Sequence, residues 1–184
     1  MLELDNSVFT ELTTERLVLR ALSPDDVEAV FELRSDPVAM HYVPRPLATS
    51  LDDAAAHIAL ILDTQRANNC VQWAIALKGD PTTMVGIVGF WRMKKEHYRA
   101  ELGYMLSPRF WGAGLITEAI AAVADHAFNV LGLHSIEAIV DADNPASMRV
   151  LEKNDFVREA WFREDFFWNG KFRDSVVYGK LNPK

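Results

Sequence analysis

The chain has 184 residues, 49% of them hydrophobic and 24% charged, with 19 Lys and Arg against 26 Asp and Glu for a net charge of −7. That length suits one domain spanning residues 1–184, and that balance excludes extensive disorder and any general field for nucleic acid. The single cysteine, Cys70, excludes an intrachain disulfide, reads as a small buried hydrophobe, and favours a cytoplasmic setting.

The opening Met1-Leu2-Glu3-Leu4-Asp5-Asn6 is acidic and has no apolar run, so it is no signal peptide. Glu15 to Arg20 reads as a strand with Leu17 and Leu19 on one face. Ser23-Pro24-Asp25-Asp26 is a helix start, with Ser as cap, Pro in the first turn and acids near the positive end of the dipole. Val27, Val30, Phe31 and Arg34 follow at helical spacing until Asp36-Pro37. Pro44-Arg45-Pro46 is a loop, and Ser50-Leu51-Asp52-Asp53 starts a second helix with Ile58, Ile61 and Leu62 facing inward.

Val71 to Leu77 and Val85 to Met93 read as a hairpin turned at Gly79-Asp80-Pro81. Arg99 to Leu106 alternates, with Ala100, Leu102, Tyr104 and Leu106 on one face and Glu101, Gly103 and Met105 on the other. A helical stripe runs from Leu115 to Leu131, capped at Gly132. Ser135 to Val140 is a buried strand, Asn144 to Lys153 a short helix, and Phe156 to Leu181 two strands around Asn169-Gly170. The expected architecture is α/β: a mixed, mostly antiparallel sheet of about seven strands flanked by about four helices. No segment reaches the roughly 20 apolar residues needed to cross a bilayer.

The chemistry concentrates in Leu106-Ser107-Pro108-Arg109-Phe110-Trp111-Gly112-Ala113-Gly114-Leu115-Ile116-Thr117. This is a strand end, a glycine loop and a helix start. Glycines let backbone approach a ligand, free N–H groups at a helix N-terminus bind phosphate, and Arg109 can add a charge-assisted contact. No Gly-Lys-Ser/Thr follows, which excludes a Walker loop, and the third glycine of a dinucleotide fingerprint is missing. A plain turn into a helix remains the competing reading.

Arg109-x-x-Gly112-x-Gly114 resembles the acyl-CoA pyrophosphate loop of the GNAT superfamily of N-acetyltransferases. The likeness extends along the chain. Thr14-Glu15-Arg16-Leu17-Val18-Leu19-Arg20 resembles the opening strand of the ribosomal-protein N-terminal acetyltransferase-like branch. Ala100-Glu101-Leu102-Gly103-Tyr104 and Pro108-x-x-Trp111-Gly112-x-Gly114-x-x-Thr117-Glu118-Ala119 resemble the central signature. Asn144-x-x-Ser147-x-x-Val150-Leu151-Glu152-Lys153 resembles the second motif. One departure is Asn154-Asp155 before Phe156, where the family has glycine; both residues tolerate positive φ.

The resemblance implies acetyl transfer from acetyl-CoA straight to an amine. It assigns the pyrophosphate to the backbone of Trp111, Gly112, Ala113, Gly114 and Leu115, with Arg109 and Thr117 beside them. It assigns the pantetheine arm to the open edge at Met105 and Leu106, splayed from the next strand by a β-bulge, with Asn144 on the other side and an N–H near Met105 as oxyanion donor. Glu101 is the implied base, since an amine with a pKa of about 8 to 10.4 must lose a proton before attack. Ser147 is the implied partner of the leaving thiolate. From pattern alone Glu101 could equally be a solvated or ion-paired sheet residue, and Ser147 an ordinary helix-start serine.

No metal is implied: His41, His57, His97, His126 and His134 are dispersed. The basic Arg92, Lys94 and Lys95 read as a solvated hairpin tip. The acceptor pocket is expected between the first helices and the tail, at His41-Tyr42-Val43, Phe90-Trp91 and the last hairpin. The tail aromatics Trp161, Phe162, Phe166, Phe167, Trp168 and Phe172 read as sheet packing, a pocket wall or a homodimer face. The acceptor is a protein N-terminal amine or a small amine such as a polyamine, amino acid or antibiotic; a non-catalytic acyl-CoA sensor is the alternative. Neither nucleic acid nor membrane is an expected partner.

Overall fold

Leu17 and Leu19 are fully buried while Val18 and Arg20 between them are not, the two-residue period of a strand with one covered face. The computed structural model describes Leu2 and residues 9–183. It contains β1 (Leu12–Thr13), β2 (Leu17–Arg20), α1 (Val27–Ser35), α2 (Leu51–Arg66), β3 (Val71–Leu77), β4 (Asp80–Lys94), β5 (Arg99–Leu106), α3 (Leu115–Asn129), β6 (Ser135–Asp141), α4 (Pro145–Glu152), β7 (Val157–Trp168) and β8 (Lys171–Leu181). The strands form one sheet in the order β1-β2-β3-β4-β5-β6-β8-β7. Neighbours are antiparallel except β5 and β6, which run parallel because α3 crosses between them.

The eight strands exceed the expectation by one. The extra strand is β1, two residues paired to β2 through Leu12 with Leu19 and Thr13 with Val18. So short a piece has no periodicity to betray it. The β3–β4 turn is Lys78-Gly79, and Asp80 already pairs with Leu77, so the reversal is tighter than Gly79-Asp80-Pro81.

The sheet separates two cores. On one face α3, and α4 through Leu151, cover Leu17, Leu19, Trp73, Val88, Phe90, Leu102 and Tyr178. On the other, Val30 of α1 and Ile58 and Ile61 of α2 pack with Leu22, Ala74 and Ile87, with Trp91 and Met105 at the margin. The first helix enters through a 3-10 turn at Pro24–Asp26 with Ser23 and Asp26 forming a capping box. Buried Asp26 is held by the Arg20 guanidinium through two bonds, 2.6 and 2.9 Å. Removing Arg20 alone would strand that carboxylate, a loss on the order of 3–5 kcal/mol.

Asp155 follows α4 at φ +60°, so the non-glycine residue does take the left-handed turn where the family has glycine. Phe156 N then donates to Leu151 O and returns the chain to β7. Gly132, at φ +72°, likewise ends α3.

Candidate active site

The glycine loop leaves β5 through a 3-10 turn at Pro108–Phe110 and enters α3 at Leu115. Gly112 and Gly114 both sit near φ +77°, and a Cβ on Gly112 would meet nothing within 4 Å, so conformation demands the glycine there and crowding does not. Gly114 is the N-cap of α3 and brings no side chain to it. The first N–H groups of a 15-residue helix are therefore left for an anion. Trp111 braces the loop by donating Nε1–H to Leu106 O at 2.8 Å. Arg109 and Ala113 are exposed along it, Thr117 is half-buried, and Leu115 is buried beneath.

Arg16 holds this loop, a role the sequence does not disclose. Its Nη1 donates to Ala113 O at 2.8 Å and its Nε to Glu118 Oε2 at 2.6 Å. The Arg16 amide and the Thr14 hydroxyl donate to Glu118 Oε1 at 2.8 and 2.5 Å. Burial pushes the Glu118 carboxyl up, but these bonds outweigh it and hold it below its ordinary value. The partners are about a hundred residues apart in the chain, and only the pairing of β2 with the sheet brings them together.

β5 pairs with β6 only from Arg99 to Glu101, and beyond Glu101 the strands part. A V-shaped gap opens beside Leu102 to Leu106. The β-bulge lies on the other side of β5, in β4, where Trp91 is the extra residue between Phe90 and Arg92. Ser107 donates to Val85 O across β4, so Met105, two residues back, also turns its main chain to β4. Tyr104 and Leu106, on either side of Met105, turn theirs to the gap, where Leu106 O already accepts from Trp111 Nε1. The main-chain groups on that edge are thus those of the two residues flanking Met105.

Glu101, Gly103 and Met105 share the face toward α1 and α2. The bulge puts Trp91 and Arg92 on that face together. Arg92 Nη1 donates to Glu101 Oε2 at 3.0 Å, with the arginine 71% exposed and the glutamate 20%. The Trp91 indole lies over Gly103, where a Cβ would stand 2.1 Å from Nε1. His57 of α2 stacks on Trp91 with ring centres 6.2 Å apart. Burial, then the charges of Arg34 and Arg45, lower the His57 pKa to about 4, so its imidazole is neutral at physiological pH.

Across the gap, Asn144 caps α4 by accepting from Ser147 N at 3.0 Å. Ser147 Oγ and the Tyr104 hydroxyl share a 2.5 Å hydrogen bond. Burial pushes the Tyr104 phenol up to about 12. Strand alternation marked Tyr104 only as a core residue; its hydroxyl joins the site because α4 packs over β5. The face bearing Glu101 and the face bearing Tyr104 and Ser147 thus flank one gap.

Other expectations are redistributed. Phe90 is fully buried on the α3 face and lines no acceptor pocket. Lys94 pairs with Glu137, and Lys95 reaches Asn69. Trp161, Phe162, Phe167 and Phe172 are exposed, so they are not core packing. His126 is buried edge-on to Trp73. Cys70 is buried, and burial pushes its thiol up to about 11, which leaves it unreactive. No group that could hold a metal occurs among the described residues. Nor is any helix among them long and apolar enough to cross a membrane.

The sequence matches the family described as "Acetyltransferase (GNAT) domain" over residues 16–157. It is 32% identical to the uncharacterized N-acetyltransferase YoaA of Bacillus subtilis, covering 96% of this chain and 99% of the relative. The structure of spermidine N-acetyltransferase from Vibrio cholerae in complex with CoA and spermine superposes with a TM-score of 0.82 at 25% identity, covering 93% and 98% of the two chains. Ribosomal-protein-S5-alanine acetyltransferase from Vibrio fischeri superposes with a TM-score of 0.84, covering 95% and 98%, and its 18% identity makes that a likeness of fold.

Proposed function

The chain belongs to the acetyltransferase (GNAT) family and is an acetyl-CoA-dependent N-acetyltransferase, and we propose that it acetylates a primary amine in the gap between β5 and β6, with Glu101 as base and Ser147 as proton donor. The observation that carries this reading is the parting of the strands after Glu101, which sets a carboxylate and a hydroxyl on either side of one opening.

The residues fit acetyl-CoA. The amides of Trp111 to Leu115 and the positive end of α3 take the pyrophosphate, with Arg109 at the rim. The main chain of Tyr104 and Leu106 pairs with the pantetheine amides as a missing strand would, and orients the acetyl carbonyl. Asn144, its Oδ1 committed to the α4 cap, has its amide N–H groups to offer the arm.

Glu101 takes a proton from the acceptor ammonium, directly or through water. The freed nitrogen attacks the acetyl carbonyl carbon, the C–N bond forms and the C–S bond breaks. The Ser147 hydroxyl, held by Tyr104, gives its proton to the departing thiolate and recovers one from the nitrogen of the product amide. The proton on Glu101 leaves to solvent.

The branch-like motifs favour a protein N-terminal amine as acceptor; the spermidine enzyme keeps a small amine as the second reading. A single, buried cysteine, Cys70, accords with a reducing cytoplasm, and the exposed aromatics of the β7–β8 hairpin with a homodimer. Light scattering checks the latter, and a mass of 20.8 kDa ends it. The test of the transferase reading is calorimetric titration with acetyl-CoA, with ATP and NAD as controls. Selective binding followed by amine-dependent thiol release is expected. Absence of both overturns it.

A further inference from the structure

We propose that the acceptor site holds a second recognition point, a carboxylate subsite formed by Arg34 and Arg45, so that the substrate is an amine with an acidic group near it. The inference rests on the transferase reading and names its substrate class.

The chain as a whole carries a charge of −7, yet the charges that act on His57, which stacks on Trp91 of the Glu101 face, are those of two arginines, Arg34 and Arg45. Arg34 closes α1, and its main-chain oxygen accepts from Ala48 N at 3.0 Å. That bond folds the Pro44–Pro46 loop, and Arg45 with it, back against the helix end. Arg34 Nε is inaccessible to solvent and has no hydrogen-bond partner. Among the described residues no carboxylate forms an ion pair with Arg34 or Arg45. Asp53, the acid whose charge acts on Arg34, is already engaged: its Oδ2 accepts from the Thr49 amide and hydroxyl at 2.8 and 2.7 Å.

A contiguous path joins these guanidinium groups to the base. His57 lies within the field of both arginines and stacks on Trp91, and Trp91 lies across Gly103, next but one to Glu101 on the same strand. His57 is neutral there and offers a hydrogen bond without a competing charge. Such a surface suits a planar oxyanion, which guanidinium binds in a fork. It opposes a polyamine, whose remaining ammonium groups would lie against like charge in a half-buried site. Two sources supply this chemistry: the carboxylate of a free amino acid, and an acidic side chain near the start of a peptide.

The experiment measures acetyl-CoA-dependent thiol release by the full chain with matched acceptors: glutamate and aspartate against their diamides, short peptides beginning Ser-Glu-Glu against Ser-Gln-Gln, and spermidine. Acidic acceptors are expected to exceed their neutral partners in kcat/KM by about tenfold or more. Preference among free amino acids identifies one source, preference among peptides the other. Arg34→Gln and the more exposed Arg45→Gln are expected to erase the preference through KM, with acetyl-CoA affinity unchanged. Arg34→Lys should restore part of it, and the paired change R34E/R45E should shift preference to spermidine. Equal rates for acid and amide, or spermidine as the best acceptor of the unaltered chain, overturn the subsite while leaving the transferase intact. If no acceptor turns over, binding of N-acetylglutamate in the presence of CoA decides: loss of binding in R34Q supports the subsite, and absence of binding overturns it.

Discussion

The indole of Trp91 occupies the space above Gly103 that any side chain there would need, with Nε1 only 2.1 Å from where a Cβ would stand. The bulge in β4 makes this possible by adding Trp91 to the face that carries Glu101. Gly103→Ala must expel the indole, since backbone cannot yield on a strand paired to β4. The expected cost is about 1–3 kcal/mol of stability. Acceptor KM should rise about tenfold while acetyl-CoA affinity holds. Thermal denaturation and steady-state kinetics check both, and an unchanged acceptor KM counts against Trp91 as a wall of the site.

Glu101→Gln keeps the shape of the side chain and removes the base. Turnover should fall by about 10²–10⁴-fold, the usual contribution of general base catalysis. Acetyl-CoA binding by calorimetry should stay as in the unaltered chain. Wild-type turnover in this variant removes Glu101 from the mechanism.

Ser147 and Tyr104 share one short hydrogen bond and should behave as a unit. Ser147→Ala and Tyr104→Phe are each expected to lower kcat, and the double variant should be no slower than the worse single, because the second change removes nothing further. Additive losses would mean separate roles. Ser147→Ala leaves the Tyr104 hydroxyl only its 3.4 Å bond to the main-chain oxygen of residue 147 and should reduce stability by about 1 kcal/mol.

Arg16 touches no substrate in this scheme and acts through the loop it holds. Arg16→Met frees the Ala113 carbonyl and leaves Glu118 held only by the Thr14 hydroxyl and the main-chain amide of residue 16. The acetyl-CoA KM should rise about tenfold with kcat at saturation retained. Glu118→Gln should move the same parameter in the same direction, whereas a change confined to melting temperature would make Arg16 merely structural.

His57 has a pKa near 4 in the native chain against an ordinary 6.5. The unfolded chain therefore binds a proton that the native chain refuses. Stability should be unaffected above about 6.5 and decline as pH falls from there toward 4, the direction set by a depressed histidine. His57→Gln should flatten that part of the melting profile. In R34Q the His57 proton resonance should titrate at higher pH, since one of the two charges that lower it is gone.

Much of the molecule was legible in the chain. Alternation in Arg99–Leu106 separated the Glu101 face from the Tyr104 face, and the glycines at 112 and 114 marked a turn that needs positive φ followed by an uncapped helix. Asn144 and Ser147 stood at a helix start in both readings. These are local facts, fixed by side-chain period, caps and φ preferences within a few residues.

What the sequence could not decide is whatever depends on two distant segments meeting. The two-residue β1 exists only because β2 offers an edge. The grip of Arg16 on Ala113 and Glu118 and the bond between Tyr104 and Ser147 each need the sheet order to be known. Side-chain alternation around Met105 does not report which edge the amides face; pairing with β4 does. The action of Arg34 and Arg45 on His57, and the stacking of His57 on Trp91, depend on α1 and α2 packing against the sheet. Local chemistry determined the elements and the chemical groups, and tertiary packing decided which groups share a cleft, because hydrogen bonds and charges act over a few ångströms of space whatever their separation along the chain.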